Sequence, residues 1–200
     1  MNYRLLLATN NQAKVDEYKS LLSNLPDELV TLAELGITTE VSEVGKSLEE
    51  NARLKATVFA GESQLMALAD DSGLEVDVLG GEPGVLSARY AGEDASDNDR
   101  IKYLLSRLNG MAWERRAARF RCVITIATPN GKVETYSGEC RGFITFEPKG
   151  KHGFGYDPIF YLPELGKTMA ELPPEVKNQI SHRGQAVGRV SQMLERLRSN

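Results

Sequence analysis

The stretch Leu65-Met66-Ala67-Leu68-Ala69-Asp70-Asp71-Ser72-Gly73 decides how the chain is read, because five apolar residues run into two carboxylates, a hydroxyl and a glycine with no polar transition. The apolar run reads as a buried strand that ends on the acids. Acids at a strand tip lie where open α/β sheets place their ligands, in the crevice beyond the carboxyl ends of the strands. Asp, Ser and Gly are also ordinary turn formers. The rest of the chain must therefore supply partners for the two acids if they carry chemistry.

Upstream, Arg4 to Thr9 reads as a buried first strand, and Asn10-Asn11 turns into a helix with Val15, Tyr18, Leu22 and Leu25 on one side. A strand, a polar turn and a helix start aim backbone N–H groups and the positive end of a helix at an anion. Lys14 falls in the first helical turn, the wrong side of the macrodipole for a cation unless an anion is also there. Leu29 to Leu32 predicts a second strand, followed by a polar connection, Gly36 to Gly45, that contains Glu40 and Glu43. Gly45-Lys46-Ser47 has the tail of a P-loop but Glu40 stands where the motif needs its first glycine. Ser47 reads better as an N-cap, with Glu50 completing a capping box for a helix to about Gly61. Asn51 and Lys55 sit one turn apart on that helix, away from Leu48, Ala52 and Phe59.

Downstream, Leu74 to Val78 alternates as a strand does, Gly80 to Gly84 forms a tight turn, and Ser87-Ala88-Arg89-Tyr90 follows with few other charges nearby. Ser96 starts a helix carrying Ile101, Leu104, Leu105 and Leu108, stopped by Asn109-Gly110. Ala117 to Thr128 and Lys132 to Phe146 form a hairpin about Asn130-Gly131. A two-residue turn would set Cys122 opposite Glu139 and Cys140 opposite Arg121, so the sulfurs point to opposite faces and stay free thiols. The glycines of Lys149-Gly150-Lys151-His152-Gly153-Phe154-Gly155-Tyr156-Asp157-Pro158 suggest close backbone approach, and aromatics with an acid between them suit stacking on a base and reading its edge. Pro173-Pro174 opens a last helix with Val187, Val190, Leu194 and Leu197 at helical spacing, and Lys177, His182 and Arg183 near its beginning. Gly184 and Gly188 inside that helix imply close packing against something.

A net charge of -4 argues against general binding to nucleic acid or to an anionic membrane surface, so any anion must be met by a local basic cluster. No leader is expected from Met1-Asn2-Tyr3-Arg4-Leu5-Leu6-Leu7-Ala8, and no run approaches the ~18 apolar residues of a membrane span. The expected location is cytoplasmic. With neither Cys-x-x-Cys nor a His-rich cluster, no structural zinc site is expected. What remains is a set of acids (Asp70, Asp71, Glu43), a set of cations (Lys14, Lys55, Arg89, Lys177, Arg183) and an aromatic loop ending in Asp157. Two or three carboxylates can hold Mg²⁺ together with substrate phosphates. These are the parts of a nucleotide hydrolase in which an Asp activates water and cations stabilise phosphoryl displacement.

The same residues resemble the inosine/xanthosine triphosphate pyrophosphatases. The resemblance rests on Ala8-Thr9-Asn10-Asn11-Gln12-Ala13-Lys14, Glu50-Asn51-Ala52-Arg53-Leu54-Lys55-Ala56, Ala69 to Leu74, Pro83-Gly84 to Tyr90, Gly153 to Pro158 and Ser181-His182-Arg183-Gly184, in family order and nearly end to end. It implies one α/β domain with an elongated mixed β-sheet flanked by helices in two lobes and an active-site cleft between them, assembled as a homodimer. It implies hydrolysis of ITP, dITP and XTP to the nucleoside monophosphate and pyrophosphate, with Mg²⁺ as cofactor and Mn²⁺ as a substitute. By resemblance Thr9, Asn10, Asn11, Gln12, Ala13 and Lys14 form the triphosphate turn, and Lys55, Ser72 and Arg89 are further substrate contacts. Asp71 is the catalytic base and a metal ligand, Glu43 the second metal ligand, and Asp70 an assistant. Phe154 stacks on the base, with Gly155 and Tyr156 beside it, while Asp157, Lys177, His182 and Arg183 bind the purine. A 6-oxo purine offers an acceptor at O6 for His182 or Arg183 and a donor at N1 for Asp157; adenine reverses both. Asn10 and Ala13 replace the family's usual glycines, and Asn tolerates the left-handed region. Two other readings are a nucleotide sensor that has lost hydrolysis and a pyrophosphatase of broader specificity.

Overall fold

The computed structural model describes residues 4–199. The reading of the first three residues for a leader lies outside them. Among the described residues no helix is long and apolar enough to cross a membrane. Seven strands form one mixed sheet: β1 (Arg4–Leu7), β2 (Glu28–Thr31), β3 (Met66–Val76), β4 (Ala117–Ala127), β5 (Val133–Ile144), β6 (Phe160–Leu162) and β7 (Lys167–Thr168), in the order β2-β1-β3-β4-β5-β6-β7. Strands β2 and β3 run parallel to β1, and β6 is antiparallel to both β5 and β7. Five helices accompany them: α1 (Gln12–Leu21), α2 (Leu48–Ser63), α3 (Asp97–Arg107), α4 (Pro174–Ile180) and α5 (His182–Ser199).

The chain divides into two compact units, and β3, β4 and β5 each contribute residues to both. One unit holds the chain up to Asp71, Cys122–Gly138 and the chain from Arg183 onward. Its core lies on both faces of the sheet. Leu5, Leu7, Leu68, Cys122 and Ile124 pack with Tyr18 of α1 and Val187, Val190 and Leu194 of α5. Leu6, Ala8, Ala67 and Ala69 pack with Ala56, Phe59 and Ala60 of α2. Alternate residues of each strand thus serve different helices, as a period of two requires. The other unit holds Ser72–Arg121 and Glu139–His182, with Leu74, Val76, Leu104, Phe120, Ile144, Phe160 and Met169 in its core.

Several expected boundaries move. The strand does not end on the acids: β3 runs on through Asp70, Asp71, Ser72 and Gly73 to Val76, and Asp77–Leu79 is a 3-10 turn. Gly73 is needed for close approach, since a Cβ there would stand 2.3 Å from the Gly84 carbonyl oxygen. The last helix is two helices, broken at Ser181, whose extended backbone (ψ 157°) separates Lys177 on α4 from His182 and Arg183 on α5. Asn10 is not left-handed, because Gln64 is the only non-glycine with positive φ among the described residues. Gly188 is exposed and an added Cβ would meet nothing within 4 Å, so close packing does not explain it. Gly188→Ala is therefore expected to stabilise the protein by about 1 kcal/mol and to raise Tm by about 2–4 °C in a thermal melt.

The hairpin turn is also longer than expected. The Thr128 N–H donates to the Lys132 carbonyl at 2.9 Å, leaving Pro129, Asn130 and Gly131 in the loop, and Gly131 takes φ 86°. Thr125 and Thr135 then face each other at 3.2 Å, and at the far end the Ile144 N–H reaches the Arg116 carbonyl. This register puts Cys122 opposite Gly138 and Cys140 opposite Phe120, so both cysteines share a face rather than opposing ones. They are free thiols all the same. Burial, reinforced by the charge of Asp70, pushes the Cys122 thiol up to about 12. Its folded pKa thus exceeds the unfolded value near 8.5, so its contribution to stability is complete below about pH 8 and fades as pH rises toward 12. Stability should fall by on the order of 1–2 kcal/mol between pH 8 and pH 10 from this group, and Cys122→Ala should flatten that slope in melts recorded against pH.

Candidate active site

In the first unit the site begins with the turn between β1 and α1. The Asn11 N–H donates to Thr9 Oγ1 at 3.2 Å, and Asn11 Oδ1 caps α1 by accepting from the Lys14 N–H at 3.1 Å. Gln12 and Ala13 follow on exposed positions, with Gln12 Nε2 on Asp16 at 2.7 Å. The Lys14 ammonium turns inward and lies 3.0 Å from both oxygens of Asp70. The anion that its place in a first helical turn demanded is therefore a side chain of the protein.

Because β3 continues as a strand, its two acids point to opposite sides. Asp70 shares the side of Leu68 and faces α1 and α5. Besides Lys14 it meets the Arg183 guanidinium at 3.6 Å and Cys122 Sγ at 3.9 Å. Arg183 is 2% exposed, and its Nη1 donates to Glu17 Oε2 of α1 at 2.7 Å. Burial by itself would raise the Asp70 carboxyl; Lys14 first, then Arg183 and Lys55, overcome it and hold it well below the usual carboxylate range. The structure thus commits Arg183 to two acids, which makes it a partner of Asp70 before any contact with a base edge.

Asp71 shares the side of Ala69 and faces α2. Asn51 Nδ2 donates to Asp71 Oδ2 at 2.9 Å, while Asn51 Oδ1 accepts from the Gly45 N–H at 2.8 Å. Gly45 is required here, since a Cβ would lie 2.5 Å from Asn51 Oδ1. One turn along α2, the Lys55 ammonium meets Glu43 Oε1 at 2.5 Å, with its side chain 13% exposed. Burial, with the negative charge of Glu43, raises Asp71 above the ordinary Asp value despite Lys55, Asn51 and Lys14. Lys55 is held above its own ordinary value: burial opposes this, but Asp70, Asp71 and Glu43 prevail. Two neighbouring carboxylates therefore have opposite proton affinities, which is the pattern that separates acid–base roles.

The second unit carries the other residues assigned from sequence. Ser72 is half-buried on β3, and Arg89 ends a 3-10 segment, Gly84–Arg89, with its guanidinium 4.0 Å from Glu93. Ser87 ties that segment to β3 by accepting from the Leu74 N–H at 2.9 Å. In the glycine-rich loop Asp157 is buried, and its Oδ2 accepts from the Phe154 N–H at 3.0 Å and from Lys177 Nζ at 2.7 Å. Gly153 has φ 75°, and a Cβ there would stand 2.0 Å from Asp157 Oδ2, so close approach does account for this glycine. Lys177 Nζ also sits 5.0 Å from the Phe154 ring centre. Tyr156 is buried and donates to the Ser87 carbonyl at 2.9 Å, and His182 stacks flat on Phe120 at 4.8 Å.

The structure therefore gathers Thr9, Asn11, Lys14, Glu43, Lys55, Asp70, Asp71 and Arg183 in one unit, and Arg89, Phe154, Gly155, Tyr156, Asp157, Lys177 and His182 in the other. Glu17 and Asn51 join the first group without having been assigned a role from sequence. Asn51 stands four residues before Lys55, so helical spacing alone placed it on the same side. No such signal marks Glu17, whose partner is Arg183 at the opposite end of the chain.

Fold and site together define an α/β protein whose acid-and-cation centre is built on one inner strand and the helices on its two sides. The chain belongs to the Ham1 family, whose model matches residues 5–193. It is 47% identical over 190 residues to the dITP/XTP pyrophosphatase of Bacillus subtilis, covering 95% of this chain and 96% of that protein. It is 52% identical over 184 residues to the dITP/XTP pyrophosphatase of Geobacter sulfurreducens, covering 92% of each. Among solved structures, a HAM1 protein from Coxiella burnetii superposes with a TM-score of 0.89 at 41% identity, over 97% of this chain and 99% of that one. The Staphylococcus aureus Ham1 protein does so at 0.86 and 42%, over 96% and 98%.

Proposed function

We propose that the protein hydrolyses non-standard purine nucleoside triphosphates, ITP, dITP and XTP, to the nucleoside monophosphate and pyrophosphate. The observation that carries this reading is the split between the two acids of β3, with Asp70 paired to Lys14 and Arg183 and held low, and Asp71 held above its ordinary value first by burial. The names of the relatives support the substrate class. Asp71 takes the proton of the water that attacks the α-phosphorus, which leaves the nucleotide as its monophosphate. Lys14, Lys55 and Arg89 balance the charge of the triphosphate, and the N–H groups at the start of α1 add a positive dipole end. Phe154 stacks on the base, while Asp157, held by Lys177, accepts from a purine N1–H, and His182 donates to O6. An adenine edge would leave these buried groups unpaired, which can disfavour the wrong base by ~10⁴ or more.

The donor set fits Mg²⁺, or Mn²⁺ in its place: two carboxylates, Asp71 and Glu43, with the remaining positions for water and phosphate oxygens. Among the described residues no group of three or more acidic, His or Cys side chains could hold a metal ion. When bound, it supplies neutralising charge to the phosphates. The reading extends to a homodimer, as the family resemblance implies, and to a cytoplasmic location.

Pyrophosphate release with Mg²⁺ from ITP, dITP, XTP, ATP, GTP and a pyrimidine triphosphate, compared by kcat/KM, tests the whole reading. ITP, dITP and XTP should lead the panel. Binding without release would make the protein a sensor, and equal rates across bases would make it a general pyrophosphatase.

A further inference from the structure

The first turn of α3 reaches two segments that lie far apart in sequence, and the mechanism above gives it no role. Asp97 Oδ2 accepts from the Gly155 N–H at 2.6 Å, in the middle of the aromatic loop. Its Oδ1 is paired with the Arg100 guanidinium. Arg100 Nη1 in turn donates to the Ala88 carbonyl and to the Ala95 carbonyl, each at 2.7 Å. The Ala88 carbonyl shares a rigid peptide plane with the Arg89 N–H, so Arg100 fixes the backbone from which Arg89 projects. Beside this link Tyr156 Oη donates to the Ser87 carbonyl at 2.9 Å. The residues on either side of each tie are thus Phe154 and Asp157 in the loop and Arg89 in the other segment.

Helix capping does not explain Asp97. Ser96 and Asp99 already form a complete capping box on α3, with Ser96 Oγ accepting from the Asp99 N–H and Asp99 accepting from the Ser96 N–H. The Asp97 carboxylate is therefore free of that duty and is spent on the loop. The loop needs such a tie. Gly153 and Gly155 both have positive φ, 75° and 62°, and glycine-rich backbone is costly to order unless something external holds it. A charge-assisted hydrogen bond to a loop N–H is a strong tie of that kind.

We propose that Asp97 and Arg100 are positioning residues that set the purine loop, Gly153 to Asp157, in fixed register with the segment bearing Arg89, so that base recognition and the grip on the phosphates are one preorganised unit. The inference rests on the reading of that loop as the purine site. It predicts a division of labour. Loss of Asp97 releases the loop at Gly155 while Arg100 still holds Ala88; loss of Arg100 loosens the Arg89 backbone as well.

The experiment compares ITP with ribose 5-triphosphate, which has the same sugar and phosphates and no base, on the full chain with Mg²⁺. Asp97→Ala should raise KM for ITP about tenfold, the worth of one charge-assisted hydrogen bond, with kcat within about twofold and KM for ribose 5-triphosphate unchanged. Asp97→Asn, which keeps an acceptor for Gly155, should recover most of the loss. Arg100→Ala should raise KM for both substrates. Equal effects of Asp97→Ala on the two substrates, no effect on either, or no recovery in Asp97→Asn would each overturn the proposal. If Asp97→Ala does not fold, Asp97→Asn and Arg100→Lys against wild type carry the same comparison. Wild type that releases no pyrophosphate from ITP defeats the functional reading and this proposal with it. Active wild type with an unresponsive Asp97 defeats the proposal alone.

Discussion

Asp71→Asn is expected to lower kcat for ITP by ~10³-fold or more while Tm moves by no more than a few degrees. Asn has nearly the same shape, and its amide oxygen can still accept from Asn51 Nδ2, which lies 2.9 Å from Asp71 Oδ2. What disappears is the proposed proton acceptor and half of the carboxylate pair proposed for Mg²⁺. The loss of attraction to Lys55 is offset by the loss of repulsion from Glu43, both of which act on Asp71 in the folded state. Steady-state kinetics and a thermal melt on the same preparation decide the matter. A kcat near wild type would put the base on another residue, and a collapsed melt would mean that the acid is structural.

Asp70→Asn should have the opposite profile, with its largest effect on stability. Lys14 and Arg183 would lose a buried counter-charge, and removing one partner of a buried ion pair costs about 3–5 kcal/mol. That corresponds to a Tm lower by about 10 °C for a chain of this length. The pH dependence follows from the same cluster. Lys14, Arg183 and Lys55 hold the folded Asp70 carboxyl below its ordinary value against the effect of burial. A carboxyl depressed by folding stabilises above its unfolded pKa, near 3.9, and loses that contribution as pH falls below it. Wild type should therefore lose stability below about pH 4 more steeply than Asp70→Asn. A variant with unchanged Tm and an unchanged acid limb would show that the cluster contributes nothing net to folding.

Much of this was legible in the sequence, because it is local. The polar turn and cap at Asn11, the Ser47 and Ser96 helix starts, and the strands of β1 and β2 all follow from patterns a few residues long. The largest error arises where long-range partners override local preference. Asp-Asp-Ser-Gly reads as a turn until Lys14, Arg183 and Asn51 satisfy the acids from outside, after which the strand can continue through them. Apolar spacing carried one helix from Pro174 to Leu197, whereas the backbone breaks at Ser181. The Asn130-Gly131 dipeptide suggested a two-residue loop, but Pro129 makes a third residue and so brings both cysteines to one face. Glu17 stayed hidden because only the folded chain brings it to Arg183.

The consecutive acids of β3 also constrain how the gene can change. Their separation depends on one residue of phase: inserting a single codon between Met66 and Ala69 would move Asp70 into the place of Asp71, toward α2, and deleting one would move Asp71 into the place of Asp70, toward α1 and α5. Either change would set one carboxylate among the other's partners and take the second away from its own, so stability and the arrangement of the site would be lost at once. Substitutions here can be graded in effect, but a change of length is all or nothing, so lineages that preserve the activity should keep this segment constant in length even where its apolar residues drift.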